Sequence, residues 1–269
     1  MEKMRRSERI AAITKILLER PHYLFSLNYF TELFTSAKSN ISEDLAIIDE
    51  TFKSLGLGQL ETISGAAGGV RYVPGLRTEI ILDFLNQLCS KLANPERILP
   101  GGFVYMNDII FDPYTSAKLG EIFATRFSHL KPDYIITVET KGIPLALTTA
   151  HSFSVPLVII RDNSKVSEGS SVNINYVSGS TRRIHTMSLS RRALPEHAKV
   201  LIIDDFMKAG GTARGMMDLM AEFNAQVLGI GVFIGTVEPQ TKLVDDYVSL
   251  LELERVDELT REVIIRPSR

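Results

Sequence analysis

Before residue 56, apolar positions recur three times at helical spacing. Ser7 is a candidate N-cap for Ile10, Ile13, Leu17 and Leu18, and Pro21 stops that run. Ser26 caps a second run through Leu27, Phe30, Leu33 and Phe34. After the polar junction Ser36-Ala37-Lys38-Ser39 a third places Ile41, Leu45, Ile48 and Phe52 on one face, ended by Gly56 and Gly58. Two short strand-like runs follow, Gln59–Ile63 and Val70–Val73, joined by the glycine-rich Ser64–Gly69 loop of a hairpin. The chain changes character at Pro74-Gly75, which divides it into residues 1–74 and 75–269. Beyond that point helical stripes, Glu79–Leu92, Ser116–Phe127 and Ala213–Phe223, alternate with uniformly apolar runs. Those runs are Tyr134–Val138, Leu157–Ile160, Val200–Ile203 and Val227–Gly235. Strands with no polar face are buried on both sides, so the spacing predicts an α/β doubly wound parallel sheet whose ligand sits at the carboxyl ends of its strands. Val248–Leu253 and Val263–Ile265 are expected to close it as a hairpin.

Three helices and a glycine-tipped hairpin form the winged helix-turn-helix pattern, in which the third helix enters the DNA major groove. The DNA-facing candidates are Lys38, Ser39, Asn40 and Ser42 at the start of that helix and Arg5, Arg6 and Arg9 upstream. Gly68, Gly69 and Arg71 on the wing complete the set. Glu43 and Asp44 restrict close phosphate approach to the first turn. The same pattern also suits a dimerisation or protein-docking module, with Ser39 and Ser42 as caps.

Composition narrows the classes. With 45% hydrophobic and 23% charged residues, the 269-residue chain is neither disordered nor fibrous. Its single cysteine, Cys89, excludes an internal disulfide and a cysteine metal site. Val227–Val237 is far shorter than the ~20 apolar residues that span a bilayer, and Met1–Arg6 leads into no signal-peptide core. These features describe a soluble cytoplasmic protein with no membrane partner. A net charge of −2 excludes a uniformly basic nucleic-acid binder but permits a local basic face.

The most informative segment is Val200–Thr212, a buried strand ending in Asp204-Asp205 and then Phe206-Met207-Lys208-Ala209-Gly210-Gly211-Thr212 before a helix. Glycines let amides line a concavity, the helix N-terminus adds positive potential, and Thr212 supplies a hydroxyl, all suited to a phosphate. Asp204 and Asp205 suit sugar hydroxyls or a divalent cation; the plain alternative is a solvated strand–turn–helix junction. The segment resembles the phosphoribosyl-pyrophosphate (PRPP) motif of type I phosphoribosyltransferases. Thr137–Pro144 is similar to that family's pyrophosphate loop, which puts Thr140, Lys141 and Gly142 beside a diphosphate. Arg161–Lys199, with seven Lys/Arg against three acidic residues, is the most basic stretch and sits where the family keeps its flexible loop. Arg161 and Lys165 are ligand candidates there. Arg182, Arg183, Arg191 and Arg192 form a candidate basic surface or, equally, the solvated face of a hairpin.

The motif departs from the enzymes at Lys208-Ala209, where they carry two hydroxyl residues. The whole chain resembles the PurR-type purine operon regulators of Gram-positive bacteria, a winged helix fused to a phosphoribosyltransferase-like domain. The residues that carry this are Arg5-Arg6-Ser7, Ser36–Ser39, Ile41–Leu45, Gly65–Val70, Ala93–Gly102, Ile174–Ser180 and Asp204–Thr212. The resemblance implies a homodimeric, non-catalytic transcription factor that binds double-stranded DNA, senses PRPP and controls purine-synthesis genes. It reads as a repressor, with an activator left open, whose PRPP comes with Mg²⁺ and competes with a nucleotide bearing adjacent diphosphates. The resemblance also implies that aromatics near the pocket, Phe103 or Tyr105, pack on the ligand, core packing being the plain alternative; no resident metal is expected. The rival readings are a purine phosphoribosyltransferase with a fused helical domain and a PRPP-binding module that docks a protein.

Overall fold

The three apolar stripes fold as α1 (Arg6–Glu19), α2 (Leu27–Phe34) and α3 (Lys38–Leu55) in the computed structural model. The structure describes residues 4–65, 67–163, 169–177 and 184–268. The helix starts differ in detail from expectation. Arg5, not Ser7, is the N-cap of α1, its N–H donating to the Glu8 carboxylate at 2.8 Å. Ser26 caps α2 as expected, accepting from the Tyr29 N–H at 3.1 Å. Ala37 precedes α3, so Ser39 lies inside the helix and the Ser42 hydroxyl donates to the Lys38 carbonyl at 3.0 Å. Neither serine is a cap. Gly56 ends α3 in the left-handed conformation, while Gly58 belongs to the following strand. β1 (Leu57–Ile63) and β2 (Gly69–Leu76) pair antiparallel. Ile13, Leu17, Phe30 and Ile41 are wholly buried between the helices and this hairpin, each such side chain contributing about 1.5–3 kcal/mol.

Pro74 and Gly75 lie within β2 rather than in a connecting segment. The strand continues to Leu76, whose side chain enters the core of the second half and whose N–H donates to Thr125 Oγ1 at 3.1 Å. The His22 ring also stacks on Phe153 with centroids 6.1 Å apart. The two halves are therefore in packed contact.

The second half begins with α4 (Thr78–Leu92), a 3-10 turn (Pro95–Arg97) and a short hairpin of β3 (Ile98–Leu99) and β4 (Phe103–Val104). α5 (Asn107–Ile110) and α6 (Pro113–Arg126) follow. α6 starts before Ser116 because Asp112 caps it and Pro113 suits its first turn. Then come β5 (Tyr134–Val138), α7 (Ile143–Phe153), β6 (Leu157–Ile160) and the antiparallel β7 (Ser171–Val177) and β8 (Ile184–Ser190). β9 (Lys199–Met207), α8 (Gly211–Glu222), β10 (Gln226–Thr236), β11 (Val248–Asp257) and β12 (Glu262–Pro267) complete the chain.

The main sheet has the order β12-β11-β10-β9-β5-β6, parallel except for β12, which pairs antiparallel with β11 as the expected hairpin. Alternate residues of each strand enter two cores. Ile135, Leu201, Ile203 and Phe233 face one side, and Ile136, Val200, Ile202 and Val232 face the other. Burial on both faces explains why these strands carry no polar alternation. Among the described residues no helix is long and apolar enough to cross a membrane.

Candidate functional site

From β5 the chain winds outward to β6, and from β9 it winds the other way through β10 to β11. Connections that depart in opposite directions leave a crevice at the carboxyl ends of β5 and β9, where ligands of such sheets bind. The two loops singled out in the sequence meet there.

β9 runs past Ile203 and carries both carboxylates inside the strand. Asp204 is buried at 5% exposure, and its Oδ1 accepts the Asp205 N–H at 2.9 Å. Burial, reinforced by the Asp205 charge, pushes the Asp204 carboxyl well above the usual range. Burial also raises Asp205, opposed by hydrogen bonding from Asp204 and by the Lys141 ammonium. The pair thus resists full ionisation. Lys141 comes from the β5–α7 turn, next to Gly142, the N-cap of α7. A Cβ on Gly142 would sit 2.3 Å from Thr137 Oγ1 and 3.0 Å from Asp204 Oδ1, so the two loops approach as closely as glycine allows. Gly142→Ala should therefore force Thr137 aside and crowd Asp204, and uptake of a ligand held by Asp204 should weaken roughly tenfold, about the loss expected for one or two hydrogen bonds. Calorimetric titration beside a thermal melt checks this; unchanged uptake would show that Asp204 can move without consequence.

On the other side, Gly210 takes the left-handed conformation and turns the chain into α8, where Gly211 and Thr212 present the helix N-terminus. The preceding carbonyls are braced from behind. Leu243 N–H donates to Ala209 O at 2.9 Å, and Lys208 O accepts from Lys242 Nζ at 2.6 Å and Thr236 Oγ1 at 3.2 Å. Lys208 is exposed. Beside the carboxylates opens a mainly apolar pocket of about 610 Å³ lined by Lys141, Asp205, Phe206, Phe103 and Tyr105. Val104, Met106, Ile234 and Leu253 also line it. These four escape a reading of the sequence, because each looks like ordinary core.

Several candidates take other roles. Met207 is buried in the core at 3% exposure, so its side chain cannot reach a ligand. Arg161 is ion-paired to Glu139 at 3.1 Å, and Glu139 also accepts the Asp162 N–H at 2.9 Å. Arg161 thus ties the end of β5 to the segment after β6, a function its charge alone did not reveal. Thr140 is exposed at the turn. Lys165, Arg182 and Arg183 lie outside the described residues, whereas Arg191 and Arg192 are exposed after β8.

In the first half, Lys38, Ser39, Asn40 and Ser42 are exposed at the start of α3, and Arg5 is exposed beside α1. Lys38 and Gly68 line a groove of about 350 Å³ between the hairpin tip and the starts of α2 and α3, together with Ser26, Asn28, Thr62 and Ser64. Arg9 does not belong to this face. It is buried at 8% exposure and its Nε donates to Asp44, which is fully buried and also accepts from Arg6 Nε at 3.1 Å. Gly69 is likewise buried, because a Cβ would strike the Phe25 carbonyl at 2.2 Å. Arg6 is half exposed but divided between Glu43 and Asp44, and Arg71 is held by Glu61 at 2.7 Å. Glu43 and Asp44 therefore serve the α1–α3 contact, which is why acidic residues follow the first turn.

Residues 5–74 match the family model of the bacterial purine repressor N-terminal domain, and residues 107–262 match the phosphoribosyl transferase domain. The chain is 50% identical over 264 residues to the purine biosynthesis transcriptional repressor PurR of Bacillus subtilis (strain 168), covering 98% of this chain and 93% of that one. It is 39% identical over 263 residues to the purine biosynthesis transcriptional activator PurR of Lactococcus lactis subsp. lactis, covering 98% and 97%. The crystal structure of adenine phosphoribosyltransferase from Rhodothermus marinus shares the fold of the second half at a TM-score of 0.55 and 20% identity, covering 65% of this chain and all of that one. The chain belongs to the family of bacterial purine biosynthesis transcriptional regulators, in which a purine-repressor N-terminal domain precedes a phosphoribosyltransferase domain.

Proposed function

We propose that this regulator is a cytoplasmic homodimer that represses purine-biosynthesis genes, and that PRPP bound in the β5–β9 crevice sets its affinity for DNA. The observation that carries the ligand reading is the placement of two glycine-capped helix starts, at Gly142 and Gly210, on either side of the Asp204–Asp205 carboxylate pair. PRPP has that layout, with a ribose diol between a diphosphate and a 5′-phosphate. Asp204 and Asp205 would accept from the ribose hydroxyls, and the Thr140–Gly142 turn with Lys141 would hold the diphosphate. The remaining phosphate falls to the N-terminus of α8 at Gly210–Thr212. Phe103 and Tyr105 flank the open pocket next to the ribose.

Mg²⁺ fits this donor set only as a companion of the ligand. Among the described residues no group of three His, Cys, Asp or Glu could hold a metal. Asp205 would be its nearest side-chain donor, and the ion would neutralise diphosphate charge. Non-catalysis is supported by the braced Lys208-Ala209 segment, which offers a cation and no hydroxyl where transfer chemistry would need directional contacts strengthened in the transition state. Sustained pyrophosphate release from PRPP and any one purine base would overturn it.

Repression follows the relative that is 50% identical over nearly the full length, a transcriptional repressor. The lactococcal relative, named an activator, marks the other outcome. Mobility shift on purine-gene control DNA, with and without PRPP, tests the coupling. A shift that PRPP changes supports the reading, through a coupling free energy typically ~1–3 kcal/mol; indifference to PRPP sinks it. Lys38→Ala should weaken DNA binding across sequences and reduce the salt slope by about one. An unaltered slope would remove Lys38 from the phosphate contacts.

A further inference from the structure

An amide that faces a bound anion turns its own peptide's carbonyl the other way, because C=O and N–H lie on opposite sides of a planar trans peptide. The turn that leads into α8 must therefore find partners for its carbonyls behind it. β9 lies between β10 and β5. The crevice is on its β5 side, and the segment joining β10 to β11 backs the turn from the β10 side. Val244 anchors that segment in the core. Its Cγ2 and the Leu243 nitrogen would each stand 3.3 Å from a Cβ on Gly210, and the Leu243 N–H closes on Ala209 O at 2.9 Å.

Lys242 makes the shortest tie. Its Nζ donates to Lys208 O at 2.6 Å and to Pro239 O at 3.0 Å, joining turn and segment through one ammonium. The Thr236 hydroxyl has a single proton and lies nearer Glu238 O, at 2.6 Å, than Lys208 O, at 3.2 Å. Lys242 is therefore the main donor to Lys208 O. A charged donor on that carbonyl also polarises its peptide, which makes the Ala209 N–H a stronger donor on the opposite side.

We propose that Lys242 is a positioning residue for the effector: clamping the Lys208–Gly210 turn to the β10–β11 segment, it keeps the turn's N–H groups aimed into the crevice and sets how tightly they hold an anion. This rests on the effector reading above. The lysine's charge acts through main-chain carbonyls and reaches the ligand only by way of the peptides between them.

Two full-length variants test the clamp. Lys242→Met keeps the aliphatic stem and removes the ammonium, whereas Lys242→Arg keeps a charged donor. Calorimetric titration uses PRPP and ribose 5-phosphate, which extend to the turn, and inorganic pyrophosphate, which needs only the Lys141 turn. In Lys242→Met, Kd for the first two should rise roughly three- to tenfold, as for one hydrogen bond, with pyrophosphate bound as by wild type. Lys242→Arg should restore most of the affinity. Hydrogen exchange on the ligand-free protein gives a second readout. The Leu243 amide should exchange roughly tenfold faster in Lys242→Met, and amides in the middle of β9 at the wild-type rate. An unchanged Leu243 amide, equal loss for all three ligands, or wild-type affinity throughout overturns the proposal. Wild-type protein that takes up none of the ligands overturns the effector reading instead, and the exchange rates then decide whether the clamp exists.

Discussion

Replacing Asp204 and Asp205 together by asparagine is expected to yield a protein that melts at a higher temperature than wild type and no longer responds to PRPP. The two effects share one cause. Asp204 is a buried carboxylate beside another carboxylate, and burial raises the proton affinity of both. A group with a folded-state pKa above its unfolded value binds more protons in the folded state, so its contribution to stability falls as pH rises from near 3.8 through the raised value. The wild type therefore carries a cost that grows as the pH rises. Asparagine has the same shape, keeps an oxygen to accept the residue 205 N–H, and removes the charge. The gain in melting temperature should therefore be larger at pH 8 than at pH 5. The ligand loses two charge-assisted acceptors for its diol. At about 1.5–3 kcal/mol each, affinity should fall at least a hundredfold. DNA affinity without PRPP should stay near wild type. A variant that melts lower at pH 8, or that still binds PRPP as wild type does, contradicts this account.

That trade-off was half legible in the sequence. Adjacent carboxylates at the end of an apolar strand, followed by Gly-Gly-Thr, pointed to a sugar phosphate because few structural needs place those groups together. The strand, however, was expected to end at Ile203, and the continuation of β9 to Met207 is what buries Asp204. Strand ends are set by what packs on them. Here that is Gly142, more than sixty residues away, and local pattern cannot report it. Helix α7 has no counterpart in the sequence reading for a related reason: Ile143–Phe153 is apolar around much of its circumference, and its first two residues fall in the segment read as the pyrophosphate loop. Charged residues were the least legible. Arg9, Arg71 and Arg161 look alike as solvent-facing cations, yet each is held in an ion pair, buried with Asp44 for Arg9 and partly exposed with Glu61 and Glu139 for the other two. Only long-range proximity separates a guanidinium that holds the fold from one that holds a ligand.

Asp44→Ala should show that difference most sharply. Asp44 has no exposure and accepts from both Arg9 and Arg6, with Arg9 itself nearly buried. Removing the carboxylate leaves the Arg9 charge uncompensated inside α1–α3, which typically costs about 3–5 kcal/mol. A unit of this size has only about 3–10 kcal/mol of stability in total. The first half should therefore unfold near physiological temperature and lose DNA binding more than a hundredfold, while the second half, with its own two cores, still takes up PRPP. Loss of DNA binding alone would not separate a folding role from a contact role, so a second variant is decisive. Arg9→Met with Asp44→Leu replaces the ion pair by apolar side chains, a change that buried pairs often tolerate or gain from. Arg9 packs against Asp44 and touches no exposed groove, so this double variant should recover both the melting transition and mobility shift on operator DNA. A double variant that folds by circular dichroism yet leaves the DNA unshifted would return Arg9 to the DNA-reading surface and make its pairing with Asp44 secondary.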